Sequence, residues 1–206
     1  DMRKFLADAN PGAQEKAVEA FKAFAENYDP FKYDVRDVLK TLIDKAIAPG
    51  KPAIKKLANE AICSVFEKGG SMFITDAIVD CLNHKNQKTV CAAVQVILEL
   101  LQNQKLKGFN SLKPFLPHIE KLAASNTSTT RTEALGFYKE AYRFVGRALQ
   151  GSISKLKKTQ QDELQAHFNS TNDSTNNDKM EIEGDKSQQK NSSQTQPKSS
   201  ENNNID

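Results

Sequence analysis

Residues able to do chemistry are sparse in this 206-residue chain, and they do not converge. The three histidines, His84, His118 and His167, stand in a turn, on a helical stretch and near the polar end of the chain. None belongs to an HExxH or comparable metal-ligand spacing. Cys63, Cys81 and Cys91 are an odd number with no CxxC pair, each inside an apolar run. That is the pattern of small core residues in a reducing compartment, and slow reaction with thiol reagents is expected of all three. No glycine-rich phosphate loop and no GxSxG elbow occurs. Carboxylates recur at helical intervals, as on solvated faces, and serines gather toward the C-terminal end. Catalysis needs convergent groups held in place. The chain is therefore read as non-enzymatic, with no cofactor and no metal.

What stands out instead is positive charge in short polar breaks. Lys51, Lys85, Lys88 and Arg131 fall in or beside the stretches 48–52, 84–88 and 125–131, and Lys55 follows the first of them. Side by side they would form a basic ridge suited to an acidic protein partner. Lys32, Lys68, Lys105 and Lys107 occupy the alternate breaks, so charge alone does not choose between the two sets. Residues 1–168 carry 25 basic and 19 acidic side chains, whereas 169–206 carry 4 and 7. A chain pI of 8.6 falls short of what nucleic-acid binding calls for, a domain pI above about 9 and a clear basic stripe. No segment approaches the roughly 18 consecutive apolar residues of a membrane span, and no signal peptide opens the chain. A soluble cytoplasmic protein is expected. The start at Asp1 is expected of a processed product or a piece of a longer chain.

The elements that must carry these breaks are helical throughout. Apolar residues recur at steps of three and four, as in Ile54, Leu57, Ala58, Ala61, Ile62 and Val65, or Val90, Ala93, Val94, Ile97, Leu98 and Leu101. The pattern predicts helices over 13–27, 34–47, 53–67, 71–83, 88–102, 111–124, 130–149 and 152–168, with a shorter one over 3–9. First helices of successive pairs begin near 34, 71 and 111, a period of about 40 residues that is the signature of HEAT or armadillo repeats. Two helices per unit favour HEAT. One such pair cannot bury its apolar face alone, so the pairs must stack into an all-α solenoid with a continuous core. The turns inside pairs, at 7–12, 48–52, 84–88 and 125–131, then align along one edge. Beyond residue 168 the chain is nearly all Asn, Ser, Gln, Thr, Lys, Asp and Glu. Such a segment cannot bury enough apolar surface to offset ordering. Residues 169–206 are expected to form a disordered tail or linker after a domain over 1–168.

Five segments resemble the TOG domains of the microtubule-polymerase family, in order and in spacing. They are FLADAN at 5–10, KPAIKKLANEAIC at 51–63, DCLNHKNQKTVCAAVQVILELL at 80–101, LKPFLPHIEKL at 112–122 and TRTEALGFYKEAYRFVGRAL at 130–149. They are similar to parts of the family's second to fifth repeats, and the resemblance covers about residues 3–168. It implies a HEAT-repeat module that binds the αβ-tubulin heterodimer or microtubules through the inside turns. It also implies a monomeric module within a larger cytoskeletal chain. By position it places Asn10 at the second-repeat turn, Lys51 at the third, Lys85 and Lys88 at the fourth and Arg131 at the fifth. The family's first-repeat turn carries a tryptophan, and this chain has none. A first repeat is expected to be missing or upstream, leaving Phe5 and Leu6 exposed at the end of the rod. The competing reading is a HEAT adaptor for a different acidic protein.

Overall fold

A computed structural model describes residues 1–104, 109 and 111–177, excepting the side chains of 104 and 171–177. The chain divides into two units, Asp1–Ser170 and Thr171–Asp206; of the second, only the helical backbone of 171–177 is described. Every regular element among the described residues is helical. They are α1 (Met2–Leu6), α2 (Pro11–Glu26), α3 (Arg36–Thr41), α4 (Pro52–Glu67), α5 (Ser71–Leu82), α6 (Gln87–Gln104), α7 (Leu116–Ala123), α8 (Ser128–Val145), α9 (Gln150–Ile153) and α10 (Lys158–Asn177). A wider π-helical segment, Leu42–Ile47, continues α3, and a 3₁₀ turn, Gly146–Leu149, leads into α9.

The helices form antiparallel pairs, α1/α2, α3 with its π-helical continuation/α4, α5/α6 and α7/α8, stacked in order and followed by α9 and α10. First helices pack on first helices and second on second, as α3 does on α5, α2 on α4 and α6 on α8. Side-chain bonds link successive layers. Arg3 reaches Asp37 at 3.2 Å, Arg36 reaches Asp76 at 3.6 Å and Lys40 reaches Asp80 at 3.2 Å. On the second helices Lys22 reaches Glu60 at 2.8 Å and Lys139 reaches Glu163 at 2.6 Å. Exposed pairs of this kind are screened by solvent and stabilise little; they mark register more than they hold the rod. The holding is done by one contiguous apolar core that runs from Leu6 to Phe168.

Most helix ends follow from local chemistry. Asn10 caps α2, its Oδ1 accepting from Gly12 N at 2.9 Å, and Pro11 opens the helix where no amide partner is needed. Pro52 opens α4 in the same way. Gly70 is required behind α4: a Cβ there would lie 2.5 Å from Val65 Cγ1 and 2.9 Å from Val65 O. The helix predicted over 111–124 begins only at Leu116, because Lys113 precedes Pro114 and is biased away from helical backbone, while Pro117 is tolerated in the first turn. The single helix predicted over 152–168 is two, α9 and α10, with a break at 154–157. The C-terminal one continues across residue 168 to Asn177, and 178–206 lie outside the described residues. At the other end the expectation for Leu6 is overturned. Helix α1 is shorter than 3–9, and Leu6 is fully buried in the core while Phe5 is 60% exposed.

The cysteines separate by burial. Cys81 is buried, whereas Cys63 and Cys91 are half-buried. Burial pushes the Cys63 thiol up to about 11 and the Cys81 thiol up to about 12. Two units of elevation at Cys63 leave about a hundredfold less of the reactive thiolate at neutral pH. Native labelling followed by mass spectrometry is expected to modify Cys91 first, Cys63 slowly and Cys81 last. Modification of Cys81 as fast as Cys91 would mean that the third pair does not close over it.

Candidate functional site

The inside turns do align on one edge. They are residues 7–10, 48–51, 83–86, 124–127 and 154–157. Each joins the C-terminus of a first helix to the N-terminus of a second. Opposed helix dipoles therefore cancel to first order along this edge, and side chains set its charge.

The turns are locked to one another. The π-helical segment ends on a bond from Ala48 N to Ile43 O at 3.0 Å, where the turn at 48–51 begins. Gly50 fits there because a Cβ would lie 1.7 Å from Ala46 O. Gln14 Nε2 donates to Leu6 O at 2.9 Å and to Lys45 O at 2.8 Å, tying the first pair to the second. Thr89, fully buried at the start of α6, donates its hydroxyl to Asp44 of the second pair. Burial works against the Asp44 carboxylate, but hydrogen bonds from Lys45 and Thr89 outweigh it and hold its pKa below the ordinary value. The stabilisation this gives is full above the ordinary carboxylate range and is lost as pH falls through the lowered pKa. Gln87 Nε2 donates to Thr130 Oγ1 at 2.7 Å, tying the third pair to the fourth.

On this frame the five sequence-derived residues take different places. Lys51 stands at the N-cap position of α4, is exposed and makes no capping bond with its side chain. Lys85 is exposed in the third turn. Lys88 is exposed in the first turn of α6, its backbone amide held by Asn86 Oδ1 at 3.0 Å. Asn10 spends its amide oxygen on capping α2. Arg131 is half-buried, and its Nη1 donates to Ser125 O and Asn126 O, both at 2.8 Å. It staples the fourth turn, a structural job that its place in the sequence did not reveal.

Lys88 lines a groove of about 470 Å³ together with Pro49, Gly50, Gln87, Cys91, Thr127 and Thr129. Lys55 and Gln95, from the second-helix face, form part of the same wall. Asn10, Lys51, Lys85 and Arg131 do not line it. Gln87, Gln95 and Thr127 were not singled out from the sequence. A signal existed for Gln95: it stands 40 residues after Lys55 and 38 before Glu133, close to the repeat period. The opposite edge differs in kind. There Lys32 pairs with Asp29 at 3.5 Å, Lys68 is exposed, and Phe31, Tyr33 and Met72 present apolar surface; Lys105 and Lys107 lie outside the described residues.

A short helical solenoid with one basic, grooved turn edge defines a class of protein, the HEAT-repeat interaction modules. Within that class the chain belongs to a particular family: it matches the XMAP215/Dis1/CLASP, TOG domain over residues 1–168. A relative, Protein mini spindles of Drosophila melanogaster, is 29% identical over 167 residues, which is 81% of this chain and 8% of that protein. The chain thus spans a small fraction of the length of that relative. Two solved structures share the fold. The MAST/Orbit N-terminal domain superposes with a TM-score of 0.73 at 19% identity, over 83% of this chain and 78% of that one. A structure of tubulin recruitment and assembly by microtubule polymerases with TOG domain arrays gives 0.69 at 20%, over 82% and 37%.

Proposed function

We propose that this chain is a tubulin-binding module of a longer microtubule-associated protein, and that it holds the αβ-tubulin heterodimer on its inside-turn edge. The observation that carries this is the coincidence of three things on one edge. Exposed lysines from consecutive turns, a groove between those turns and rigid cross-pair bonds all meet there. Family membership and the fold shared with a tubulin-recruiting polymerase support the choice of partner. The module works as a monomer and performs no catalysis; growth regulation would come from linking several such modules, through effective concentration rather than new contacts. Its place in the cell is then the microtubule cytoskeleton, including the spindle or a microtubule-organising centre. The test is size-exclusion chromatography of the 206-residue chain with purified αβ-tubulin at low salt. Co-elution that dissolves as salt rises supports the reading, because exposed charge contacts are screened over about 10 Å at 0.1 M. Separate elution at every salt concentration contradicts it.

A further inference from the structure

Between successive pairs, cations of the described residues meet carboxylates: Lys22 meets Glu60, Lys40 meets Asp80 and Lys139 meets Glu163. Lys55 departs from this. Its Nζ donates to the neutral Gln95 Oε1 at 2.6 Å, and it forms no ion pair among the described residues. Gln95 in turn donates its Nε2 to Glu133 Oε1 at 3.0 Å. That second bond fixes which end of the amide faces Lys55, so the relay through α4, α6 and α8 delivers an acceptor to the ammonium without neutralising it. Lys55 is half-buried and stands on the divide between the edge groove and a second hollow of about 660 Å³ on the second-helix face. A partly desolvated cation with spare donors and no ion pair of its own is a position that a carboxylate stabilises.

We propose that Lys55 receives an aspartate or glutamate carboxylate of the protein partner within the groove, and that Gln95 is the positioning residue that holds Lys55 there with its charge intact. This rests on the reading that the inside-turn edge binds an acidic protein. A neutral side chain at 95 is central to it. A carboxylate in that place would hold Lys55 equally well but consume its charge.

The test is the exchange Gln95→Glu with Glu133→Gln in the full chain. It conserves composition and net charge, and it conserves both hydrogen bonds, with the amide now at 133 and the carboxylate against Lys55. The exchange is expected to weaken binding of αβ-tubulin about tenfold at unchanged melting temperature, and Lys55→Met to cause the same loss. In the Lys55→Met background the exchange should cost nothing further, which a merely structural role of Gln95 would not produce. Wild-type affinity of the exchanged chain overturns the proposal, as does an equal tenfold loss without Lys55. If the exchange is silent while reversal of Lys51 and Lys88 abolishes binding, Lys55 is excluded and the ridge stands. If the wild-type chain binds no tubulin, the partner is wrong, and NMR titration with a hexaglutamate peptide decides on Lys55 alone. A saturable shift of the Gln95 side-chain amide that the exchange removes supports the site, and no shift overturns it.

Discussion

Reversing Lys51→Glu and Lys88→Glu together is expected to weaken binding of αβ-tubulin by about a hundredfold or more, with helicity and melting temperature nearly unchanged. Both side chains are exposed, and neither caps a helix with its own atoms. Surface changes of that kind usually stay within about 0.5 kcal/mol of wild-type stability. Binding is another matter. Each reversal turns an attraction into a like-charge contact, which costs several kcal/mol at an interface. About 1.4 kcal/mol per site suffices for a hundredfold loss. The paired control is Lys32→Glu with Lys68→Glu on the opposite edge, which changes net charge equally and should bind almost normally. Equal weakening by both pairs would reduce the effect to bulk charge and remove Lys51 and Lys88 from the site. Arg131 is unsuited to this experiment. Its guanidinium holds the carbonyls of Ser125 and Asn126, so Arg131→Glu would set a carboxylate against two carbonyl oxygens. A loss of binding there would mix charge with a deformed turn.

The largest expected loss of stability is at Phe115→Ala. Phe115 is fully buried, 5.7 Å by ring centroids from Phe109, which lies 4.7 Å from Phe66. The three rings join α4 to the segment that enters α7. Truncating a buried phenylalanine costs about 3–5 kcal/mol, because the cavity only partly collapses. In a domain of this size that lowers the melting temperature by roughly 6–20 °C. Phe31→Ala removes the same atoms from a residue that is 98% exposed, and should leave the melting temperature within about 2 °C. Thermal unfolding followed by circular dichroism checks both. Equal effects of the two truncations would mean that the aromatic cluster is not part of the core.

The architecture was legible because its cause is periodic. The faces of Ile54, Ala58, Ala61 and Val65, and of Val90, Ala93, Val94 and Ile97, are buried as their spacing implies. A period of about 40 residues follows from each pair needing its neighbour. Boundaries were less legible where proline acts on its predecessor, as at Lys113, and where two short helices share one apolar pattern, as α9 and α10 do. Leu6 was misread because burial at the end of a rod depends on how α1 folds over α2, which one helix face does not encode. At the candidate edge, charge type and turn position were readable from sequence; the use each side chain makes of its atoms was not. Asn10 and Arg131 spend theirs on the backbone, while Lys51 and Lys88 stay in solvent. The turns are joined by cross-pair bonds of Gln14, Asp44, Thr89, Gln87 and Thr130, residues whose chemistry looks ordinary until the layers are stacked.

Hydrogen exchange of the 206-residue chain, alone and saturated with αβ-tubulin, tests the central claim most directly, since it reports where the partner sits without altering a residue. Backbone amides of 48–52, 84–88 and 125–131 are expected to exchange more slowly in the complex, while those of 27–35 and 68–70 on the opposite edge stay unchanged. Protection confined to 27–35 and 68–70, around the exposed Phe31 and Met72, would contradict the account, and so would a complex that protects neither edge.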